Sequence, residues 1–401
     1  MKIAYLNACG NGSTGHIVDK LKEICENNGI SVISIYARES CVRQDKTTVR
    51  CFNKFDFYID GILTRLLDNH GLNSKVNTRR ILKVLRDFKP DIIHIHNLHG
   101  YWINYPMLFN YIKENNIKVV WTFHDCWHIT GHCAHFDYVQ CDKWKIGCHN
   151  CEQLKEYPAS SFYDGSKRNY NFKKKYFTSI DDMVIVTPSQ WLQSKVKESF
   201  LNKYNVRVIN NGVDISVFKP SVDIEKKKSI LSQGFKHIIL GVAATWNERK
   251  GLKYILKIAD KEPEWYFVII GSIPQKSIIK ADYKNVFFIN RTENVQILCD
   301  WYSIADVFVN PTLEDTYPTT NLESIACGTP VVTYATGGSE EIVRISKFGE
   351  VSKERNSKSL HDSVKNVLDN AELVIAADFN LDAQVKYQEY LQLYNQIVDR
   401  K

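Results

Sequence analysis

Along this chain the apolar positions keep changing period, from short continuous runs to helical spacing and back. Residues 2–8 (KIAYLNA) form an apolar run that stops at the turn Gly10-Asn11-Gly12-Ser13-Thr14-Gly15. Ile17, Leu21, Ile24 and Cys25 then recur at helical spacing, Asn28-Gly29 stops that helix, and 33–37 is the next run. The spacing predicts helices over 58–67 and 75–89, then strands at 91–96 and 119–123 with a helix through Ile112 between them. A helix over 168–177, a strand at 183–187, a helix opened by Pro188-Ser189 and a strand at 206–209 complete the series. Short strands that are apolar throughout and alternate with helices form parallel sheets covered on both faces.

The pattern restarts at 237–243 (HIILGVA). Leu252, Ile255, Leu256 and Ile258 predict a helix, 265–270 and 286–289 strands, 295–302 a helix, and 306–309 and 331–333 strands. Thr319 or Thr320 can cap a helix running to Cys327, and Gly328-Thr329-Pro330 turns the chain into the following strand. Gly337-Gly338 opens another helix, with Glu340 and Glu341 in the first turn, where the dipole favours them. A last helix is expected over 382–398. The fold class is therefore α/β, in two similar series.

Composition agrees. The chain has 401 residues, 44% hydrophobic and 24% charged, enough for two globular domains. It holds no run of eighteen apolar residues, and its first residues enter a strand and turn without the long apolar core of a signal peptide. A cytoplasmic protein is expected, with a peripheral contact at the inner face of the membrane. The net charge of +7, with basic runs at 173–175 and 226–228, suits anionic small molecules or an anionic membrane surface. Each run alone also reads as a solvated face. No aromatic-and-basic nucleic-acid module and no repeat of fixed period occurs.

The chemistry concentrates in 310–343. Asp315 and Glu323, eight apart, bracket a helix start that follows a parallel strand. Open α/β sheets bind ligands there, and a helix start suits a phosphate. The Gly10–Gly15 turn has the same character. Lys250 also stands at a helix start, unfavourable for the dipole unless an anion binds there.

Asp315-x7-Glu323, followed by GTPVV at 328–332 and GGSEEIV at 337–343, resembles the donor site of retaining family-4 glycosyltransferases of the GT-B type. The family usually has glutamate at both acidic positions; here Asp315 takes the first, and Glu314 is one residue out of register. The resemblance implies two facing Rossmann-like domains with a central cleft: 1–214, on which 382–401 packs back, and a donor-binding domain over 215–381. It implies that Asp315 contacts the donor sugar, Glu323 the ribose hydroxyls, Lys250 the pyrophosphate and Arg291 the base. Thr245 occupies the place of a usual arginine, so Arg249 is the expected substitute. Thr319, Thr320 and Asn321 would share the pyrophosphate, faced across the cleft by the loop of Gly12 and Gly15. His124 would touch the donor sugar near the reaction centre. Read alone, His124, His96 and His99 are also structural histidines.

The implied reaction is retaining transfer of a hexose from a nucleotide-diphosphate sugar to a glycan or lipid-linked acceptor in surface polysaccharide synthesis. The leaving phosphate itself helps deprotonate the incoming hydroxyl. The chain has no Asp-x-Asp, so no cofactor is expected for catalysis. Two rivals stay open: a two-Rossmann nucleotide-sugar epimerase, and a catalytically weak subunit that binds glycan or protein.

Eleven cysteines occur, five of them within 126–151. Cys133-x7-Cys141-x6-Cys148-x2-Cys151 ends in the tight pair that a tetrahedral thiolate site needs. A structural zinc stapling 126–158 is expected, with buried thiols as the alternative.

Overall fold

The computed structural model describes residues 1–37, 45–221, 224–274, 283–292, 294–370 and 373–399; Cys41 lies outside them. The chain divides into two units, 1–210 with 387–401, and 211–386.

The first unit begins with β1 (Lys2–Asn7), α1 (Gly12–Asn27), β2 (Ser31–Tyr36) and β3 (Thr48–Arg50). Helices α2 (Lys54–Leu67) and α3 (Lys75–Phe88) lead to β4 (Ile92–Ile95), α4 (Tyr105–Glu114) and β5 (Lys118–Thr122). After a long loop come α5 (Ser166–Phe177), β6 (Met183–Thr187), α6 (Gln190–Glu198) and β7 (Asn205–Val208). The strands pair in the order β3-β2-β1-β4-β5-β6-β7, parallel throughout. The order reverses between β1 and β4, so their carboxyl ends open a crevice. The central strands are apolar on both faces: Val119, Val120 and Trp121 are fully buried. Each such side chain contributes about 1.5–3 kcal/mol.

The second unit holds α7 (Ile224–Leu231), β8 (His237–Thr245), α8 (Leu252–Ala259), β9 (Trp265–Ser272) and β10 (Val286–Ile289). Then follow α9 (Val295–Ile304), β11 (Val307–Asn310), α10 (Thr319–Ala326), β12 (Val331–Tyr334), α11 (Ser339–Ser346), β13 (Gly349–Ser352) and α12 (Ser357–Asp369). Its sheet runs β10-β9-β8-β11-β12-β13, again parallel, with the reversal between β8 and β11.

The last helix, α13 (Ala383–Val398), starts in the second unit and continues into the first. There Tyr394 Oη lies 2.6 Å from His94 Nδ1, and Tyr390 Oη 3.1 Å from Thr122 Oγ1. His94 Nε2 meets the same Thr122 hydroxyl at 2.8 Å, and Lys118 Nζ donates to the Ile397 carbonyl at 2.6 Å.

Three details depart from the sequence pattern. The α2 helix starts four residues before 58, because the Asn53 side chain caps Phe55 and Asp56. Neither Thr319 nor Thr320 caps α10: Pro318 takes that place, without a side-chain cap bond. The edge strands β3 and β13 and the helix α12 had no expectation.

Candidate functional site

In the second unit the reversal point brings two loops together. The loop after β8 carries Arg249 and Lys250; the loop after β11 carries Glu314 and Asp315. Asn247 caps the turn by accepting from the Lys250 N–H, and Gly251 follows in the left-handed region, at φ 75°. A Cβ at Gly251 would collide with the Pro311 carbonyl, so only glycine lets the loops come this close. Leu313 N–H donates to the Arg249 carbonyl at 2.8 Å, and the Arg249 guanidinium donates to the Glu314 carbonyl. The result is that Lys250 Nζ donates to Asp315 Oδ2 at 2.7 Å, with Arg249 Nη1 4.0 Å from the same oxygen. Burial lowers the Lys250 pKa and the Arg249 charge adds to this, while Asp315 opposes it. Glu314, the acid out of register, is fully buried.

Glu323 sits on the first turns of α10. Its Oε2 accepts from Tyr302 Oη at 3.1 Å, and Thr319 also hydrogen-bonds to it. Burial pushes this carboxyl up to about 6, against both hydroxyls. Thr319 and Thr320 are half-buried at the helix start. Asn321 is different: it accepts from Asn310 Nδ2 at 2.7 Å and donates to Ser339 Oγ at 3.0 Å. Its side-chain amide ties β11 to α11. Arg291 is exposed beyond β10.

In the first unit Gly12 opens α1 at φ 72°, and a Cβ at Gly15 would collide with the Gly10 carbonyl group. This packs the turn against the end of β1. At the neighbouring strand ends His96 Nδ1 lies 2.9 Å from His124 Nε2, with the rings stacked at 5.2 Å. Burial lowers the His124 pKa to about 4, so both imidazoles are neutral at neutral pH and share one proton along that bond. Asp125 joins a further network: its Oδ2 meets His99 Nε2 at 2.7 Å, and His99 Nδ1 faces Tyr157 Oη at 3.2 Å. Burial disfavours the Asp125 carboxylate, but His99, then His128 and His135, hold it well below the usual range. Sequence reasoning stopped at His124 and passed over Asp125, although the His-Asp pair at the end of an apolar strand was its signal.

The cysteine-rich loop follows. Among the described residues no group of three or more His, Cys, Asp or Glu side chains is arranged to hold a metal ion; of the four thiols expected to hold zinc, Cys133 is buried and Cys141, Cys148 and Cys151 are half-buried. The Cys133 and Cys151 thiols hydrogen-bond to each other, and Cys148 Sγ accepts from the Gly131 N–H at 3.2 Å. Burial pushes the Cys148 thiol up to about 12, a neutral packed group. Polar and aromatic contacts anchor the loop. His132 Nδ1 meets Asp68 Oδ1 at 2.7 Å, and Phe136 stacks on Trp144 at 4.8 Å. Lys173 Nζ lies 3.5 Å from the Trp127 ring centre and donates to the Trp127 carbonyl at 2.6 Å.

Two family models match the chain: Glycosyltransferase Family 4 over residues 11–217, and Glycosyl transferases group 1 over 223–380. The chain is 22% identical over 334 residues to the Escherichia coli (strain K12) protein WcaC, named for colanic acid biosynthesis glycosyl transfer, covering 78% of each. It is 26% identical over 205 residues to the Campylobacter jejuni N,N'-diacetylbacillosaminyl-diphospho-undecaprenol alpha-1,3-N-acetylgalactosaminyltransferase, covering 47% of this chain and 53% of that one. Among solved structures, sucrose-phosphate synthase from Thermosynechococcus elongatus superposes with a TM-score of 0.71 at 16% identity, over 100% of both chains. Anabaena Alr3699/HepE, solved with UDP and glucose, gives 0.68 at 14% identity, over 99% of this chain and 100% of that one.

Proposed function

We propose that this chain, which belongs to Glycosyltransferase Family 4 and has the GT-B fold, transfers a hexose with retention from a nucleotide-diphosphate sugar to a glycan or lipid-linked acceptor in surface polysaccharide synthesis. The observation that carries this reading is the Lys250–Asp315 contact at the reversal point of the second sheet, with Glu323 on the helix α10 that follows the Asp315 loop. A cation held at the mouth of such a crevice, next to a helix start, is suited to a pyrophosphate.

In this reading Glu323 takes the ribose hydroxyls, and Asp315 the sugar hydroxyls once Lys250 has turned to the phosphates. Thr319 and Thr320 offer helix-start N–H groups to the same phosphates, and Arg291 meets the base. Neutral His124, held by His96, positions the sugar on the first unit, with the Gly12 and Gly15 turn beside it. Chemistry then rests on positioning and charge stabilisation, with the leaving phosphate taking the acceptor proton. No cofactor beyond the donor enters the scheme, which runs on the cytoplasmic side of a membrane. The surface-glycan setting follows what the WcaC and Campylobacter relatives are named for.

The test is a thermal-shift screen of nucleotide sugars, followed by transfer of the stabilising donor's sugar to lipid-diphosphate acceptors. A donor at a hundredfold its dissociation constant stabilises by about 2.7 kcal/mol. Product with inverted anomeric configuration, or epimerised sugar without acceptor, overturns the reading.

A further inference from the structure

Helix α2 is built inside out. Asp56, Asp60 and the C-cap Asp68 are all buried, spaced four and then eight apart and therefore on one side of the helix. Asp56 accepts from the Asn77 N–H at 2.7 Å, Asp60 from Ser74 Oγ at 2.5 Å, and Asp68 binds His132 and the Gly165 N–H. These bonds fix the helix rotation. Phe55, Tyr58, Ile62 and Leu66, at helical spacing, fall on the opposite face and are exposed, Phe55 to 71%. Ser161 N–H donates to the Arg65 carbonyl at 2.8 Å, so the next residue, Phe162, 82% exposed, sits by the last turn.

The exposed charges around this face are mostly basic. The exposed charged residues of α2 are Lys54 and Arg65, and α3 exposes Lys75, Arg79, Arg80, Lys83 and Arg86 against Asp87. At the C-terminal end of α2 lies a cavity of about 610 Å³, lined by Lys167, Arg168, His149, Asn171 and Phe172, with the Asp164 carboxylate in its wall held by the Cys151 and Ser166 N–H groups. Arg168 ties its wall to α2 by donating to the Leu67 and Asp68 carbonyls, each at 2.9 Å.

We infer that α2 with its flanking basic residues docks on an anionic lipid bilayer, the apolar face entering the interface and the cavity taking a lipid phosphate. An apolar row with cations beside it and its carboxylates turned inward is what a bilayer of anionic lipids fits. A second copy of the chain does not, because a symmetric contact would set basic residues against basic residues. Among the described residues no helix is long and apolar enough to cross a membrane, so the contact is peripheral. The inference deepens the lipid-linked-acceptor reading by supplying a surface for it. Vesicle binding is measured without donor or acceptor, so its failure is separable from failure of the transfer assay.

The experiment is sedimentation of the full chain with vesicles of phosphatidylcholine alone or of equimolar phosphatidylcholine and phosphatidylglycerol. Binding to the anionic vesicles, weakened by salt and absent on phosphatidylcholine, is expected. Phe55→Ser with Ile62→Ser should lower it about tenfold or more, since two large apolar side chains no longer leave water. Both positions are exposed, so an unchanged melting temperature checks the fold. Arg79→Ser with Lys83→Ser should weaken binding and flatten its salt dependence. Equal binding to both vesicle types, unchanged binding by the apolar variant, or a dimer that this variant dissociates without any vesicle binding overturns the inference.

Discussion

Lys250 Nζ and Asp315 Oδ2 stand 2.7 Å apart, joined by loops that follow β8 and β11. The pair is strand-end chemistry: neither residue is reached from the other by local sequence, and the sheet reversal alone brings them together. A pyrophosphate has to draw this lysine away from its carboxylate. Asp315→Asn is therefore expected to leave nucleoside-diphosphate binding intact or tighter while transfer falls, whereas Lys250→Ala should weaken that binding by about 1.5–3 kcal/mol, the value of a charged hydrogen bond. Calorimetry with the nucleoside diphosphate, beside turnover, separates the two; a parallel loss of binding in both variants would contradict the assignment.

Glu323 gives a pH signature. Its carboxyl is raised to about 6 by burial, and ribose hydroxyls are best accepted by the ionised form. Nucleotide affinity should fall as pH drops through 6, and Glu323→Gln should lose about 1–3 kcal/mol of binding together with this dependence. Because the folded pKa lies above the unfolded one, the ionised group costs stability at neutral pH, so the variant should melt no lower than the parent. A pH-dependent affinity that persists in Glu323→Gln points to another group.

Asp125 has the opposite sign. Its folded pKa lies far below the unfolded value, so it contributes stability that is present above the ordinary carboxylate range and drains away on strong acidification. Asp125→Asn should lower the melting temperature at pH 7 and flatten the acid limb of a melting-temperature profile. Removing one member of such a buried pair costs about 3–5 kcal/mol. A variant that keeps the parental acid limb would show that His99 and His128 do not depend on this carboxylate.

His132 supplies the staple of the cysteine-rich loop. Burial opposes its protonation, but the Asp68 carboxylate at 2.7 Å outweighs that and raises its pKa. Its contribution is complete below about 6.5, the unfolded value, and declines as pH rises through the higher folded one. Limited proteolysis within 126–165 should therefore accelerate from mildly acid to mildly alkaline pH, and Asp68→Asn should cleave at the fast rate at both. Equal cleavage rates in parent and variant would remove this pair as the anchor.

Both sheets were legible because each strand is apolar throughout and each helix repeats at its own period; 183–187 and 286–289 match the structure residue for residue. The acidic pair and Lys250 were legible because motif spacing survives in a loop. Their mutual contact was not, since it depends on Gly251 packing against Pro311 across sixty residues of chain. The role of Asn321 was hidden for the same reason: its partners, Asn310 and Ser339, come from separate elements. Spacing along the sequence describes only the thiols of the cysteine-rich loop. What anchors that loop, Asp68 and Lys173, belongs to the elements on either side of it.

The polar ladder under α13 sets an order of events during synthesis. His94 and Thr122 lie in the middle of the first sheet, fully or almost fully buried, and their partners Tyr394 and Tyr390 come 300 and 268 residues later in the chain. Until then the ring nitrogen and hydroxyl that face α13 must stay wet, and the sheet floor there stays open. The second unit is translated whole before the first is finished. The first unit thus waits for a helix made after the second, and a chain cut before Tyr390 would leave the first sheet without the hydroxyls that satisfy His94 and Thr122.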